Sequence, residues 1–166
     1  MPDTLERLFE DTVQDLFDAE NQFLMAMPKL SKAASCADLK KAIVEHTAQS
    51  ERHVQRLTDV ATVLRITPTG KVCSAAQELI EEAEAQLEEV AHGPVRDAAI
   101  IICSQKNEDY EICNYGTLIE WAAELGLTDI IPMLKETLAE EKAANDRLTE
   151  IALKASVKQV AAGGAK

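Results

Sequence analysis

Two glutamates in the middle of a long helical pattern have a spacing that suggests chemistry. Glu108 and Glu111 belong to the stretch Gln105-Lys106-Asn107-Glu108-Asp109-Tyr110-Glu111. Residues three apart lie on the same side of a helix. The apolar residues around this stretch at helical spacing are Ala98, Ile101, Ile102, Ile112, Tyr115 and Leu118. A carboxylate on an apolar face is costly unless it is paired, protonated or bound to a metal. Glu108 and Glu111 are therefore candidate ligands of one shared cation.

Composition limits the class of protein and its partners. The chain has 166 residues, few aromatic residues and a formal net charge of −12, which favours a single all-helical domain. This acidic balance disfavours binding to nucleic acid or to an anionic membrane surface. The sequence shows no signal-peptide pattern, no apolar stretch of membrane-spanning length and no pair of cysteines in a CxxC motif. It predicts a cytoplasmic protein with reduced thiols.

Apolar periodicity and helix-breaking residues predict five helices, at about 4–27, 37–65, 73–91, 94–124 and 129–157. The first is expected to end or kink near Pro28, because proline fits poorly inside a helix. Four helices are long, and the short third helix is acidic. This order predicts an all-α four-helix bundle over 1–158, with a short extra helix in the crossover between the second and third long helices. The Ala/Gly-rich segment 159–166 is predicted to be a disordered tail.

Each long helix has polar residues where a plain core helix would carry leucine or valine, and the short helix does not. These interruptions are Glu20, then His46, Gln49 and His53, then Glu108 and Glu111, then Glu141 and Asn145. Polar groups that converge from four helices form the metal sites of helical bundles. Carboxylates together with imidazole suit iron, manganese or zinc, and carboxylates that bridge two metals would explain so many acids in the interior.

Taken singly, these residues also have ordinary explanations. Glu20 could lie exposed at a helix edge, and His46 or His53 could be a structural histidine. Glu140 and Glu141 could form ion pairs with Lys or Arg one turn away in the same helix. Tyr110 and Tyr115 are expected to be packing residues rather than sites of radical chemistry. The metal hypothesis depends on the joint pattern.

The sequence resembles the YciE/YciF stress-protein family, a branch of the ferritin-like superfamily, over nearly the whole chain. The residues that carry the resemblance are 18–22, 28–30, 46–57, 95–98, 105, 108–111, 115–117, 134–138 and 140–142. The resemblance implies a ferritin-like up-down four-helix bundle and a homodimer. It implies no known reaction.

In the wider superfamily, rubrerythrin-like two-iron sites take a glutamate from the first long helix and Glu-x-x-His from the second. The third long helix supplies Glu-x-x-Glu and the last supplies Glu-x-x-His. The resemblance assigns Glu20 to the first position, Glu108 and Glu111 to the third helix, and Glu141 to the last.

Two positions depart from that pattern. The second helix offers His46-x-x-Gln49, where members of the resembled family tend to carry His-x-x-Glu. The last helix has Glu141-x-x-Ala144, without a histidine. The departures put a tight two-metal site in doubt and leave a one-metal or altered site open.

The predicted function is that of a metal-binding stress-response protein. It would hold iron, as one ion or two, or manganese, with zinc less favoured, and would act on oxygen or peroxide in a ferroxidase-like or peroxide-consuming manner. The alternative is a non-catalytic structural or interaction protein whose degenerate polar core fixes helix register. An iron-storage cage is less favoured because the sequence shows no cage interface.

Overall fold

The structure is a computed structural model that describes the backbone of residues 3–163 and the side chains of residues 3–154. The described chain contains five helices and no strand, which confirms the all-α prediction. The helices are α1 (Leu5–Ala33), α2 (Ala37–Leu64), α3 (Ser74–Glu89), α4 (Pro94–Glu124) and α5 (Ile131–Gly163). None of the helices in the described part is both long and apolar enough to cross a membrane. The division into a bundle at 1–158 and a tail at 159–166 stays a prediction: α5 extends to Gly163, within the predicted tail, and residues 164–166 lie outside the described residues.

Local sequence signals account for several helix ends. The side chain of Thr4 accepts a hydrogen bond from the backbone N–H of Arg7 and so caps α1. Gly93 adopts a φ of 101°, a conformation that residues with a side chain rarely adopt. Pro94 then begins α4 in the first turn, where the backbone N–H that proline lacks would have no partner within the helix. The bounds of α4 are those predicted from the sequence.

The first helix continues past Pro28, so the predicted end near this residue is wrong. Pro28 lies inside α1 and is exposed, while Leu30, two residues later, is buried. The burial of Leu30 against the core stabilises the last turns of α1 and offsets the backbone hydrogen bond that proline cannot donate. Tertiary packing therefore overrides the local signal.

The directions of the helices follow from which ends share a core. Buried residues near the start of α1 and α5 pack with residues near the end of α2 and α4, including Phe9, Val60, Leu118 and Leu134. The helices therefore run up, down, down and up in the order α1, α2, α4 and α5. Because α2 and α4 are parallel, the connection between them spans the length of the bundle, and α3 lies in that crossover. This is the single long crossover of ferritin-like folds.

The hydrophobic core consists of two clusters. The first, which we call the lower core, lies at the end where α1 begins, and the second, the upper core, contains Met27, Leu39, Ile43 and Ile100 at the opposite end. A layer of buried polar residues separates them. It contains Glu20, His46, Ser50, His53, Ser104, Glu108, Glu111 and Glu141.

The buried face of α4 differs in part from the predicted one. Ile101, Tyr115 and Leu118 are buried as expected, whereas Ala98 and Ile102 are exposed. The face that points inward passes through Ser104, Glu108 and Glu111 instead. The helix register is therefore set by the polar layer and not by the isoleucine run alone.

A buried aspartate joins α4 to the connection between α1 and α2. The two carboxylate oxygens of Asp97 accept hydrogen bonds from the backbone N–H groups of Ser35, at 2.6 Å, and Cys36, at 3.0 Å. Cys36 is the N-cap residue of α2, and its side chain makes no capping hydrogen bond. Asp97 thus pairs the backbone N–H of this N-cap residue from another helix and connects α4 to the start of α2.

Candidate metal centre

The four long helices bring the predicted ligands together in the polar layer. Two groups of side chains each offer ligand atoms that lie within 4.8 Å of one another. The His46 set contains His46, Glu108, Glu111 and Glu141, and the His53 set contains Glu20, His53 and Glu141. All of these residues are buried, and Glu141 belongs to both sets. The ordinary explanation that Glu20 is exposed at a helix edge is wrong, since its exposed fraction is 0%.

The His46 set joins α2, α4 and α5. His46 Nε2 lies 3.2 Å from Glu108 Oε1 and 3.6 Å from Glu141 Oε2. Glu108 and Glu111 are adjacent on the inward face of α4, as their spacing predicted. Three carboxylates and one imidazole therefore surround a common space.

The His53 set joins α1, α2 and α5. His53 Nδ1 lies 2.6 Å from Glu141 Oε1 and 3.4 Å from Glu20 Oε1. The hydroxyl of Tyr115 donates a hydrogen bond of 2.6 Å to Glu20 Oε1, and this fixes one oxygen of that carboxylate. The rings of His46 and His53 have centroids 6.1 Å apart, so the two sets are neighbours along the bundle axis.

Both histidines hold one ring nitrogen outside the cluster and turn the other toward it. His46 Nδ1 lies 3.3 Å from Gln49 Oε1, and His53 Nε2 lies 3.0 Å from Glu140 Oε2. The inner nitrogens also face carboxylates, so they present lone pairs only where a cation binds there, and the hydrogens then lie on the outer nitrogens, which face Gln49 and Glu140. Metal-binding histidines are oriented in this way by acceptors outside the ligand set.

Glu140 is held in turn by two arginines on α2. Arg56 donates to Glu140 Oε2 and Arg52 donates to Glu140 Oε1. Burial works to raise the pKa of Glu140, but its contacts with Arg56, His53 and Arg52 outweigh burial and lower the pKa to about 2. Glu140 is thus a permanently charged acceptor behind His53.

The buried carboxylates titrate far from their usual range. Burial is the main cause that raises the pKa of Glu108 and of Glu141 to about 7. Burial also raises the pKa of Glu111 well above its ordinary value, and the neighbouring carboxylates add repulsion there. Burial works to lower the pKa of His53, but close contacts with Glu141 and Glu20 raise it to about 10. The cluster therefore retains protons that a cation could replace.

Several polar atoms of the cluster have no hydrogen-bond partner among the described residues. They are Glu20 Oε2, His46 Nε2, His53 Nδ1, Glu108 Oε2, Glu111 Oε1 and both oxygens of Glu141. The short contact between His53 Nδ1 and Glu141 Oε1 lacks the direction of a hydrogen bond, since neither atom is satisfied by it. Buried polar groups are rarely left unpaired, and here they converge on shared space. The donor set thus fits a bound cation.

A cavity of about 510 Å³ adjoins the His46 set. His46, Glu108 and Glu111 line one part of it, and apolar residues of α1, α2 and α5 line another. Polar and charged side chains, including Glu45, Arg52 and Arg147, complete the lining. The cluster is therefore next to a space larger than a few water molecules would need.

Comparison with known proteins identifies the family. Residues 4–162 match the family described as a domain of unknown function, DUF892. The chain belongs to the DUF892 family. Protein YciF of Escherichia coli strain K12 is 37% identical over 151 residues, which are 90% of this chain and 91% of that protein. This relationship confirms the resemblance seen in the sequence.

Solved structures place the DUF892 chain in the same fold. The crystal structure of the E. coli stress protein YciF gives a TM-score of 0.90 at 36% identity, over 95% of this chain and 99% of that one. YcfI from Rhodopseudomonas palustris gives 0.86 at 40% identity, over 88% and 93%. A protein from Xanthomonas campestris pv. campestris, 14% identical, gives 0.76 over 97% and 99%, and it shows the fold alone. Together with the long crossover, these matches confirm the ferritin-like bundle.

The predicted site residues do not all lie in this DUF892 cluster. Gln49 is only half-buried and contacts His46 from outside the ligand sets. Asn145 points away from the cluster, donating to Asp109 and accepting from Gln105. Ala144 lines the cavity. The expectation that Asn145 belongs to the central polar group is therefore wrong.

Three contributors to the site were missed or undervalued in the sequence. Ser50 is fully buried, and its Oγ has no partner among the described residues. Because Ser50 precedes His53 by three residues, it occupies the glutamate position of a Glu-x-x-His motif, a spacing that could have been noticed. Glu140 was expected only to form an ion pair within its helix, whereas its carboxylate contacts His53. Tyr115 packs in the core as expected, but it also binds Glu20.

Proposed function

We propose that this protein binds redox-active metal, iron or manganese, in the polar layer of its bundle and that it handles oxygen or peroxide during stress. The observation that carries the proposal is the pair of buried ligand sets that share Glu141. A carboxylate common to two sets is what a bridge between neighbouring cations requires, and two-metal sites place their ions about 3.5–4 Å apart.

The chemistry of the donors supports iron or manganese. The two sets together offer four carboxylates and two imidazoles. Oxygen-rich donor sets with some imidazole suit these metals, whereas structural zinc sites are usually tetrahedral and rich in cysteine or histidine. The four cysteines are all free and none belongs to the ligand sets.

Such a metal, when bound, would supply the electrons and the coordination position that oxygen or peroxide chemistry needs. The chain's own residues prepare the site for it. Tyr115 holds one oxygen of Glu20, and Glu140 holds the outer nitrogen of His53. The lower core excludes bulk water on one side of the layer, which strengthens electrostatic interactions around the His53 set.

Metal analysis of purified protein tests the proposal. The chain would be stripped with a chelator, reconstituted separately with ferrous iron and manganese, desalted and measured by elemental analysis. We expect at least one bound ion per chain. Glu141→Gln should lose most of the metal because Glu141 serves both sets. The matched control is Glu120→Gln, an exposed glutamate on α4. Substoichiometric metal in the wild type under all conditions would refute the proposal.

The non-catalytic alternative is favoured by a specific observation. Ser50 and Ala144 occupy positions where the superfamily pattern asks for a glutamate and a histidine, and Gln49 is neutral. The polar layer would then be a network that fixes helix register. A metal-stripped protein that melts at the same temperature as the reconstituted one, with the same oligomeric state, would support this alternative.

The proposal includes a homodimer located in the cytoplasm. The resemblance to the YciE/YciF family supports the dimer, and the free cysteines suit a reducing compartment. The net charge of −12 argues against nucleic acid as a partner. Light scattering coupled to size exclusion would give the oligomeric state, and a mass several times that of a dimer would indicate a cage instead.

A further inference from the structure

The cavity beside the His46 set is much larger than oxygen or hydrogen peroxide requires. Its volume of about 510 Å³ falls within the range of about 300–1,000 Å³ in which proteins hold organic ligands, whereas a water molecule occupies about 30 Å³. A site that served only a small oxidant would need no such space. The cavity therefore indicates an organic ligand.

The two parts of the cavity differ in chemistry. His46, Glu108 and Glu111 line the part that adjoins the cluster. The apolar part is lined by Met27, Leu30, Ile43 and Leu148, which are all members of the upper core. A ligand that satisfies both parts has a single polar head and a hydrocarbon body.

The polar part determines the charge of the head. Glu108 Oε2 and Glu111 Oε1 are buried acceptors without a partner among the described residues. Glu20 and Glu141 add two more carboxylates to the same layer. A neutral O–H group could donate to one of these free oxygens, whereas an anionic head has no hydrogen to donate.

Small side chains allow access from the surface between α2 and α5. Ala48 on α2 and Ala143 on α5 line the cavity and are both exposed. Ala144 lies next to them and is partly buried. Glu45 and Arg52, which also line the cavity, are exposed on α2, so the entrance carries charges of both signs.

We infer that this cavity binds a neutral aliphatic molecule with one O–H head group, of the alcohol or alkyl hydroperoxide class. The head lies toward Glu108 and Glu111, and the hydrocarbon body packs against Met27, Ile43 and Leu148. The assignment of a hydrocarbon body does not depend on the proposed metal function. The assignment of the head group depends on it in part, because a cation held by these glutamates would be coordinated by the same neutral oxygen.

Calorimetric titration with a homologous series tests the inference. Ethanol, 1-hexanol, 1-heptanol and 1-octanol would be titrated into both chelator-treated and metal-reconstituted protein, with octanoate as the anionic counterpart of octanol. We expect saturable binding that strengthens about three- to fourfold per methylene, and in the chelator-treated protein octanoate should bind more weakly than octanol. Equal affinity along the series, or tighter binding of octanoate by the chelator-treated protein, would overturn the inference.

A matched pair of variants locates the binding site. Ala144→Phe should weaken octanol binding by about tenfold or more, because the phenyl ring takes space in a closely packed interior. Ala139→Phe, on the exposed face of the same helix and outside the cavity, should bind octanol like the wild type. Circular dichroism establishes that both variants are folded. If Ala144→Phe is unfolded, the chain-length series in the wild type still decides the matter.

The two proposals fail separately. Octanol binding by a protein that takes up no metal would refute the metal function and leave the cavity ligand in place. Full metal occupancy with no saturable octanol binding would overturn the cavity ligand and leave the metal function in place. Equal effects of the two phenylalanine variants would place the alcohol outside the cavity and overturn the inference.

Discussion

The protons held in the polar layer should make the metal-free protein less stable as pH rises from 5 to 8. The pKa of Glu141 is about 7 in the folded chain, against an ordinary value of 4.5, chiefly because of burial. Between these values the folded chain binds more protons than the unfolded chain, so its stability is complete below 4.5 and is lost as pH rises through 7. At 1.36 kcal/mol per pKa unit, one such carboxylate costs about 2–3 kcal/mol between pH 5 and 8.

Other titrating groups near Glu141 do not reverse this sign. The pKa of His53 is raised to about 10, so its stabilising contribution is present below 6.5 and is lost as pH rises toward 10. The pKa of Glu140 is lowered to about 2, so its contribution is complete above 4.5 and constant over the range from pH 5 to 8. The net effect remains a loss of stability with rising pH.

Scanning calorimetry of chelator-treated protein at pH 5, 6, 7 and 8 measures this effect. For a chain of this size about 1 kcal/mol corresponds to 2–4 °C, so the melting temperature should fall by roughly 5–10 °C. Glu141→Gln cannot lose this proton and should show a smaller fall, whereas the exposed control Glu120→Gln should fall like the wild type. Reconstitution with metal should remove the fall, because a cation replaces the protons. A melting temperature that is flat across this range, or an equal fall in Glu141→Gln, would refute the reasoning.

Three further substitutions test the supporting contacts. Glu140→Gln should weaken metal binding by about 10–100-fold with little loss of fold, because it removes the charged acceptor that orients His53, and metal titration measures it. Gln49→Glu should bind metal more tightly, since a carboxylate is a stronger acceptor for the outer nitrogen of His46, and the same titration shows this. Asp97→Asn should lower the free energy of unfolding by about 1–3 kcal/mol in urea, since one of the two backbone N–H groups bound by Asp97 loses a charged, part-buried acceptor.

These expectations have matched controls. Glu136 binds the same arginine as Glu140 but is exposed and does not contact His53, so Glu136→Gln should leave metal affinity unchanged. If it weakens metal binding as much as Glu140→Gln does, the effect belongs to Arg56 and not to His53. Unchanged affinity in Gln49→Glu would remove Gln49 from the support of the site. Unchanged urea stability in Asp97→Asn would show that water replaces the carboxylate.

Much of the fold was predictable because its signals are local and repeated. Gly93 and Pro94 mark the start of α4, and the interrupted apolar stripes identify the four long helices that hold the polar layer. Pro28 was misjudged because the burial of Leu30 depends on a distant helix. Local rules cannot supply contacts of that kind.

The site was predictable in its inner residues and not in its surroundings. Glu20, Glu108 and Glu141 interrupt apolar stripes, and that pattern is visible in the sequence. Glu140 immediately precedes Glu141, and its role depends on arginines about ninety residues earlier in the chain. The prediction for Asn145 was wrong because the sequence locates a helix only to within about one residue. An error of one residue rotates every side chain by about 100° around the helix axis.

The division of the hydrophobic core into lower and upper parts has a consequence for cooperativity. Without a cation, the lower and upper cores are connected mainly by the helix backbones. The closely spaced acids of the polar layer repel one another and so weaken the contact between the two halves. A cation bound by Glu141 and its neighbours would pull the same layer together. Metal uptake should therefore sharpen unfolding, so that two halves able to melt separately become one cooperative unit.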